Sequence, residues 1–333
     1  MTSFKDFARA QWSTLPVVPT TASTTGGTYI VTGANTGLGL ECAKHFVRLG
    51  AKRVILAVRS IQRGETAAAA IHKATGRQDV CQVWQLDLAS LDSVENFAKR
   101  LDTLDRIDAL IENASIALDT FTLSEGVETT VTVNVLGTML LAIRAMPKLR
   151  ESASRHGIKP HLVIVSGMTA FDCKGALDGI NGDLFEALSK KEDNKRLSGS
   201  RYPLTKLLQV YATREMASLF PEPETGVVIN VMNPGVCITD LDRNIGGMLK
   251  VQIFLGRRLL GRTAEEGSRT LLHAAVAGPE SHGKYVSDCV IKEYAVPEWI
   301  SGQEGQRMQR RVWDDMVKTL NAKGHRVDAV LSQ

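Results

Sequence analysis

Apolar residues along the chain come in short runs that alternate with stretches of helical spacing. Thr28–Val31 is a brief apolar run that leads into Gly33. Arg53–Val58 (RVILAV), Val80–Leu86, Ile107–Ile111, His161–Val165 (HLVIV) and Val227–Met232 are similar runs. Each has the length and continuity of a strand buried on both faces, where no alternation with polar positions is needed. Between them, Leu38–Leu49, Ile61–Thr75, Leu91–Leu104, about Glu125–Leu149, about Tyr202–Phe220 and Ala264–Ala277 repeat apolar positions at helical spacing, and Gly50 and Gly76 close two of these stretches. Lys284–Ser287 adds a last short strand. This alternation predicts an α/β fold of Rossmann type, a doubly wound parallel sheet of about seven strands with helices on both faces.

The pattern lapses at the ends and in two internal stretches. Pro16–Gly27 (PVVPTTASTTGG) reads as a linker, so residues 1–27 are an N-terminal arm and linker. Residues 28–290 read as one cofactor-binding domain with inserts near 170–200 and 241–262, and 291–333 as a C-terminal helical extension. Phe4, Phe7 and Trp12 suit a short amphipathic helix whose polar face is not strongly basic, which favours packing on the body over a membrane. Val312, Trp313, Met316, Val317 and Leu320 have the spacing of a packing helix.

Composition excludes several classes. The 333 residues carry 40 Lys+Arg against 36 Asp+Glu, a net +4 without the concentrated basic face of a nucleic-acid protein. A hydrophobic share of 44% and a charged share of 23% exclude intrinsic disorder. Cys42, Cys81, Cys173, Cys237 and Cys289 are odd in number and form no CxxC pair, which argues against a disulfide framework and a cysteine zinc site. No two histidines have metal-ligand spacing on a shared helix, so no metal is expected. No apolar run approaches the ~20 residues of a membrane span. Lys5, Asp6, Arg9 and Gln11 interrupt any signal-peptide core. The expectation is a cytoplasmic protein with reduced thiols.

The first strand runs into Thr32-Gly33-Ala34-Asn35-Thr36-Gly37-Leu38-Gly39, directly before a helix. Glycines there let the backbone turn tightly and approach a pyrophosphate held at the helix N-terminus. Gly33, Asn35, Thr36, Gly37, Leu38 and Gly39 are therefore candidate cofactor contacts. An NAD-preferring site carries Asp or Glu at the end of the second strand. Here that end reads Val58-Arg59-Ser60, and Arg59 is placed to meet a 2′-phosphate, which points to NADP(H).

The glycine spacing resembles that of the short-chain dehydrogenase/reductases, and further motifs follow in the same order. Asp87 in Leu86-Asp87-Leu88 is similar to the family's Asp that meets the adenine. Asn113 in Glu112-Asn113-Ala114-Ser115 keeps the centre of its N-N-A-G; the match of Asn113-Ala114-Ser115 to a glycosylation sequon reads as accidental at the end of a buried strand. Asn134 matches the family's structural and catalytic Asn, which holds a water connecting the lysine to solvent. Tyr202 and Lys206 form its Y-x-x-x-K pair. Pro234, Gly235, Val236 and Thr239 lie in the nicotinamide-side N-P-G-x-x-x-T loop. The closer resemblance is to fungal members related to retinol dehydrogenases, through TGANTGLGLECAKHFVRLGA, RYPLTKLLQVYATREMA and HGKYVSDC. It implies NADP(H)-dependent chemistry on a small lipophilic substrate, often a secondary metabolite, and a homodimer as one assembly, although the added tails here could block the helices through which the family associates.

The chemistry follows from the pair. A tyrosine phenol titrates near 10, and an ammonium at i+4 on the same helix face favours its phenolate. Tyr202 is the expected proton donor and Lys206 the group that lowers its pKa, and the resemblance implies that Lys206 also meets the nicotinamide ribose. The family's serine is missing: in Val163-Ile164-Val165-Ser166-Gly167-Met168-Thr169 its position is Gly167. Three solutions remain open: Ser166 or Thr169 deputises, Tyr202 acts alone, or the scaffold performs isomerisation, cyclisation or imine reduction. A partner protein that binds NADP(H) without catalysis is a further alternative, weakened by the intact Asn134, Tyr202 and Lys206. Ala170–Ser200, with its charge run Lys190–Arg196, and Leu241–Arg262 are candidate walls of an apolar substrate pocket.

Overall fold

A computed structural model of the chain describes residues 4–191, 201–242, 246 and 256–331. In chain order the strands are β1 (Thr28–Thr32), β2 (Arg53–Val58), β3 (Cys81–Gln85), β4 (Ala109–Glu112), β5 (Leu123–Ser124), β6 (Val127–Glu128), β7 (His161–Val165), β8 (Val228–Asn233), β9 (Tyr285–Ser287) and β10 (Val290–Ile291). The main helices are α1 (Phe4–Gln11), α2 (Gly37–Arg48), α3 (Ile61–Thr75), α4 (Leu91–Leu101), α5 (Thr138–His156), α6 (Arg201–Leu219), α7 (Ala264–Ala274) and α8 (Gln303–Ala322).

Eight strands form one sheet in the order β10-β9-β8-β7-β4-β1-β2-β3. All neighbours are parallel except β9 and β10, which pair antiparallel through Val286 and Ile291. The sheet thus has one strand more than the seven expected; β10 is only two residues long and carries no periodicity to read. Successive residues of a strand point to opposite faces. Ile30 of β1 accordingly joins the core under α4, α5 and α6, while Tyr29 and Val31 join the core under α2, α3 and α7. The chain runs outward from β1 to β3, then returns to place β4 on the other side of β1. That reversal is a topological switch point, where the crevice beyond the strand ends receives ligands in such sheets.

One expected element needs correction. The helix read from Glu125 begins at Thr129, because β5 and β6 form a hairpin whose turn holds Glu125 and Gly126 at positive φ, 55° and 73°. The helical stretch then passes through a π-helical turn at Thr132–Gly137 and runs on as α5 past Pro147 to His156. Thr129–His156 is long and apolar enough to cross a membrane, but 89% of its most apolar window is buried inside the protein. It is the core helix behind the sheet. Within the expected linker, Thr21–Thr24 forms a short helix with a capping box at Thr20. All five cysteines are free, and four are buried.

Candidate active site

The glycine loop sits where β1 and β4 lie side by side. Gly33 adopts φ +67° and donates its N–H to Ala57 O (2.8 Å), which turns the chain over the end of β2. Asn113, one residue past β4, donates to Thr32 O (2.8 Å), and Ala114 N–H donates to Thr32 Oγ1 (2.9 Å). The loop is thereby stitched across the switch point. Gly39 is packed so closely that a Cβ there would lie 2.6 Å from Asn113 Nδ2 and 2.7 Å from Gly33 O. Asn35 is half-buried in this loop and Leu38 half-buried in the first turn of α2. Thr36 stands at the N-cap of α2 with no side-chain cap, and no acidic residue occupies the first turn, so the helix leaves its own N-terminal N–H groups uncapped. Arg59, just past β2, is exposed and has no hydrogen bond or ion pair among the described residues. Asp87, past β3, accepts from Ala89 N–H (3.1 Å) and is half-buried.

The loop after β8 forms the opposite wall. Asn233 Oδ1 accepts from Gly235 N–H (3.2 Å) and from Met168 N–H (3.2 Å), tying Pro234–Val236 to the turn after β7. Thr239 comes within 3.5 Å of where a Cβ on Gly37 would lie, and Thr36 Oγ1 donates to Asp240 Oδ2 (3.2 Å). The glycine loop and the segment that follows the Pro234 loop therefore meet at Thr36–Gly37 and Thr239–Asp240.

Tyr202 and Lys206 lie one turn apart on α6. A buried ion pair holds the start of this helix: Arg201 donates to Glu128 Oε1 of β6 (2.9 Å). Lys206 is 1% exposed; its Nζ donates to Val165 O (2.9 Å) and Gln209 Oε1 (3.0 Å) and sits 5.3 Å from the centroid of the Tyr202 ring. Burial pushes its pKa down to about 7. The Tyr202 phenol is pushed up, first by burial and then by Cys237, against a downward pull from the Arg257 guanidinium and the Ser115 hydroxyl. Lys206, expected to lower this phenol, has its Nζ over the Tyr202 ring while bonding Val165 O and Gln209 Oε1, and the Arg257 guanidinium also pulls the phenol down.

Asn134 lies in the π-helical turn, fully buried. Its Nδ2 donates to Ile116 O (2.9 Å) and Thr205 Oγ1 (3.0 Å), and its Oδ1 accepts from Ile116 N–H (2.9 Å). It braces the loop after β4 against α6. Gln209 Nε2 donates to Asn134 O (2.6 Å), so an amide side chain bridges Lys206 to the Asn134 carbonyl. The sequence reading missed Gln209, although Lys206-x-x-Gln209 places both on one helix face.

Gly167 is fully extended (φ 178°), and a Cβ there would meet only Thr169 Oγ1, at 3.6 Å. Thr169 Oγ1 is buried and has no hydrogen-bond partner among the described residues. Ser166 points elsewhere: its hydroxyl, 3% exposed, donates to Lys206 O (2.8 Å). Most of the charge run Lys190–Arg196 and of the Leu241–Arg262 wall lies outside the described residues; of that wall, residues 241, 242, 246 and 256–262 are described, and Arg257 donates to Thr239 O (2.9 Å). Among the described residues no cluster of His, Cys, Asp or Glu could hold a metal ion.

Residues 28–174 match the family model for short chain dehydrogenase. The chain is 41% identical to the short chain dehydrogenase/reductase dmxR8 of Cryptosporiopsis sp. (strain 8999) over 308 residues, 91% of this chain and 93% of the relative. It is 38% identical to the short chain dehydrogenase atnD of Emericella nidulans, over 87% of this chain and 92% of the relative. Among solved structures it resembles a short-chain dehydrogenase from Sphingobium yanoikuyae in complex with NADPH, with TM-score 0.59, 19% identity and coverage of 85% of this chain and 94% of the other. A second is the 3-ketoacyl-(acyl-carrier-protein) reductase from Brucella melitensis complexed with NADH, with TM-score 0.56, 20% identity and coverage of 80% and 97%. Fold, motif order and near full-length identity to these fungal relatives agree: the chain belongs to the short-chain dehydrogenase/reductase family.

Proposed function

We propose that the protein is an NADPH-dependent oxidoreductase that interconverts a lipophilic carbonyl compound and its alcohol. The observation that carries this reading is the pair on α6, with Lys206 Nζ 5.3 Å from the Tyr202 ring. The residues of the glycine loop and its surroundings fit a dinucleotide phosphate. The close approach at Gly39, the uncapped N-terminus of α2 and the unpaired Arg59 suit a pyrophosphate and a 2′-phosphate. Bound NADPH supplies the hydride that goes to the carbonyl carbon. Tyr202, kept protonated by its burial, donates the proton to the developing alkoxide oxygen. Thr169 donates a hydrogen bond to the same oxygen, in place of a hydroxyl at Gly167. Lys206, held by Val165 O and Gln209, steadies the phenolate that Tyr202 leaves.

The test is to incubate the protein with NADPH and a panel of hydrophobic aldehydes and ketones while following the nicotinamide absorbance, with Tyr202→Phe and Arg59→Asp alongside. Turnover that disappears in Tyr202→Phe supports the reading. Arg59→Asp is expected to weaken NADPH far more than NADH, and equal losses would remove Arg59 from the 2′-phosphate. Tight NADPH binding with no oxidation across the panel would turn the assignment toward a non-redox isomerase or cyclase, which the empty serine position at Gly167 favours.

A further inference from the structure

The N-terminal arm was expected only to pack on the body. The last residue of α1 makes a more specific contact. Gln11 is 5% exposed, and its side-chain amide is fully engaged by backbone far away in sequence. Its Nε2 donates to Val236 O (3.0 Å) and to Leu260 O (2.9 Å), and its Oε1 accepts from Val236 N–H (3.3 Å). One amide therefore pairs with both backbone groups of Val236 as a neighbouring strand would, while hooking the segment that returns toward α7. The approach is tight: a Cβ on Gly235 would lie 2.5 Å from Gln11 Oε1.

The surroundings make this contact a frame. Arg262 N–H donates to Val236 O (2.9 Å) and Ile238 N–H to Arg262 O (2.9 Å), so the two ends of the excursion 239–261 are already paired. The Arg262 guanidinium, fully buried, donates to Ala10 O and Pro234 O and pairs with Asp288. Trp12 Nε1 donates to Leu259 O (3.2 Å), and Arg269 donates to Leu15 O. A helix docked for stability alone needs only apolar contact, which tolerates sliding. Directional hydrogen bonds to one backbone unit fix its orientation.

We propose that Gln11 is a positioning residue for the cofactor loop, acting through the backbone of Val236 and Leu260 to set the Pro234–Val236 turn against the nicotinamide half of NADP(H). The proposal rests on the reading above that this loop faces that half of the cofactor. Gln11→Ala frees the Val236 N–H. Gln11→Glu puts an oxygen where Nε2 now donates, against two carbonyls, and is the more severe change.

The experiment titrates full-length wild type, Gln11→Ala and Gln11→Glu with NADPH and with adenosine 2′,5′-bisphosphate, which lacks the nicotinamide half. It also measures backbone amide exchange at Val236 without cofactor. The expected result is NADPH binding weakened about five-fold or more in Gln11→Ala, for the loss of a buried hydrogen-bonding amide, and further in Gln11→Glu. Bisphosphate binding stays the same in all three chains, and exchange at Val236 quickens in both variants. Unchanged NADPH affinity in Gln11→Ala overturns the proposal. So does equal weakening of NADPH and bisphosphate, which marks a general loss of structure. A wild-type chain that binds neither compound overturns the cofactor reading and this proposal with it, and the wild-type titration tells that outcome apart.

Discussion

Thr169 is the residue on which the proposed chemistry turns. Among the described residues its hydroxyl is buried without a partner beside a glycine that offers none, and a buried hydroxyl left unpaired costs free energy unless something occupies it in the working state. Thr169→Val is expected to lower kcat by about a hundred-fold with NADPH affinity unchanged, the scale seen when one oxyanion donor is removed. Gly167→Ser added to that variant should restore much of the rate, because a side chain there meets only the residue at 169. Steady-state kinetics with a cofactor titration checks both. Glu112 is a second residue with a readable consequence. It is 1% exposed at the end of β4, with Oε1 unpartnered, and burial raises its carboxyl well above the usual range. The folded chain holds a proton there that the unfolded chain releases above about pH 4.5. Folding is therefore penalised increasingly as pH rises, by about 1.4 kcal/mol per unit until the folded-state pKa is reached. Glu112→Gln should add little stability at pH 5 and clearly more at pH 8, as read by urea unfolding; an equal gain at both would show that Glu112 is ionised in the fold. Tyr202, Lys206 and Asn134 were legible in the sequence through motifs that resemble the family's, with Tyr202 and Lys206 one turn apart on one helix. Gln209, Arg257 and Gln11 were not, because what distinguishes them is a partner that only the tertiary structure supplies.

At the scale of elements, the strands were legible wherever burial on both faces makes an apolar run continuous. RVILAV and HLVIV coincide with β2 and β7 to the residue. The failures lie where periodicity is interrupted by design. The β5–β6 hairpin is made of two-residue strands and keeps its place through the buried Glu128–Arg201 pair, which also anchors the helix carrying Tyr202. The π-helical turn at Thr132–Gly137 inserts an extra residue into an otherwise regular helix, a feature that recurs at functional sites, and it is this turn that carries Asn134. The glycine loop is the tightest joint between elements. Gly39→Ala would drive a methyl group against Asn113 and the backbone of Gly33. The expected outcome is loss of measurable NADPH binding with the far-UV circular dichroism preserved, since the clash falls between α2 and the loops that hold the cofactor; retained affinity would mean that the loop relaxes freely.

Across the whole molecule, length alone allows two domains, while one eight-stranded sheet draws its strands from Thr28 to Ile291. The C-terminal segment covers the outer side of α4 and α5. His325 Nδ1 meets Glu95 (3.2 Å), Glu95 pairs with Arg144 (2.9 Å), Arg144 donates to His325 O, and Val327 is fully buried. Removing residues 324–333 should lower the melting temperature and increase self-association through the bared surface, as followed by calorimetry and by light scattering; a truncated chain that stays as stable and as dispersed would show the segment to be dispensable. The arm, by contrast, has its partners at the other end of the sequence. Gln11 meets Leu260 249 positions on, and Leu15 meets Arg269 254 positions on. In N-to-C synthesis the arm is made about 250 residues before these partners, so it can dock only after the segment through Arg269 exists. The β1–β7 part of the sheet can form earlier from nearer contacts, and the Pro234–Val236 turn acquires its brace after that sheet has begun to assemble.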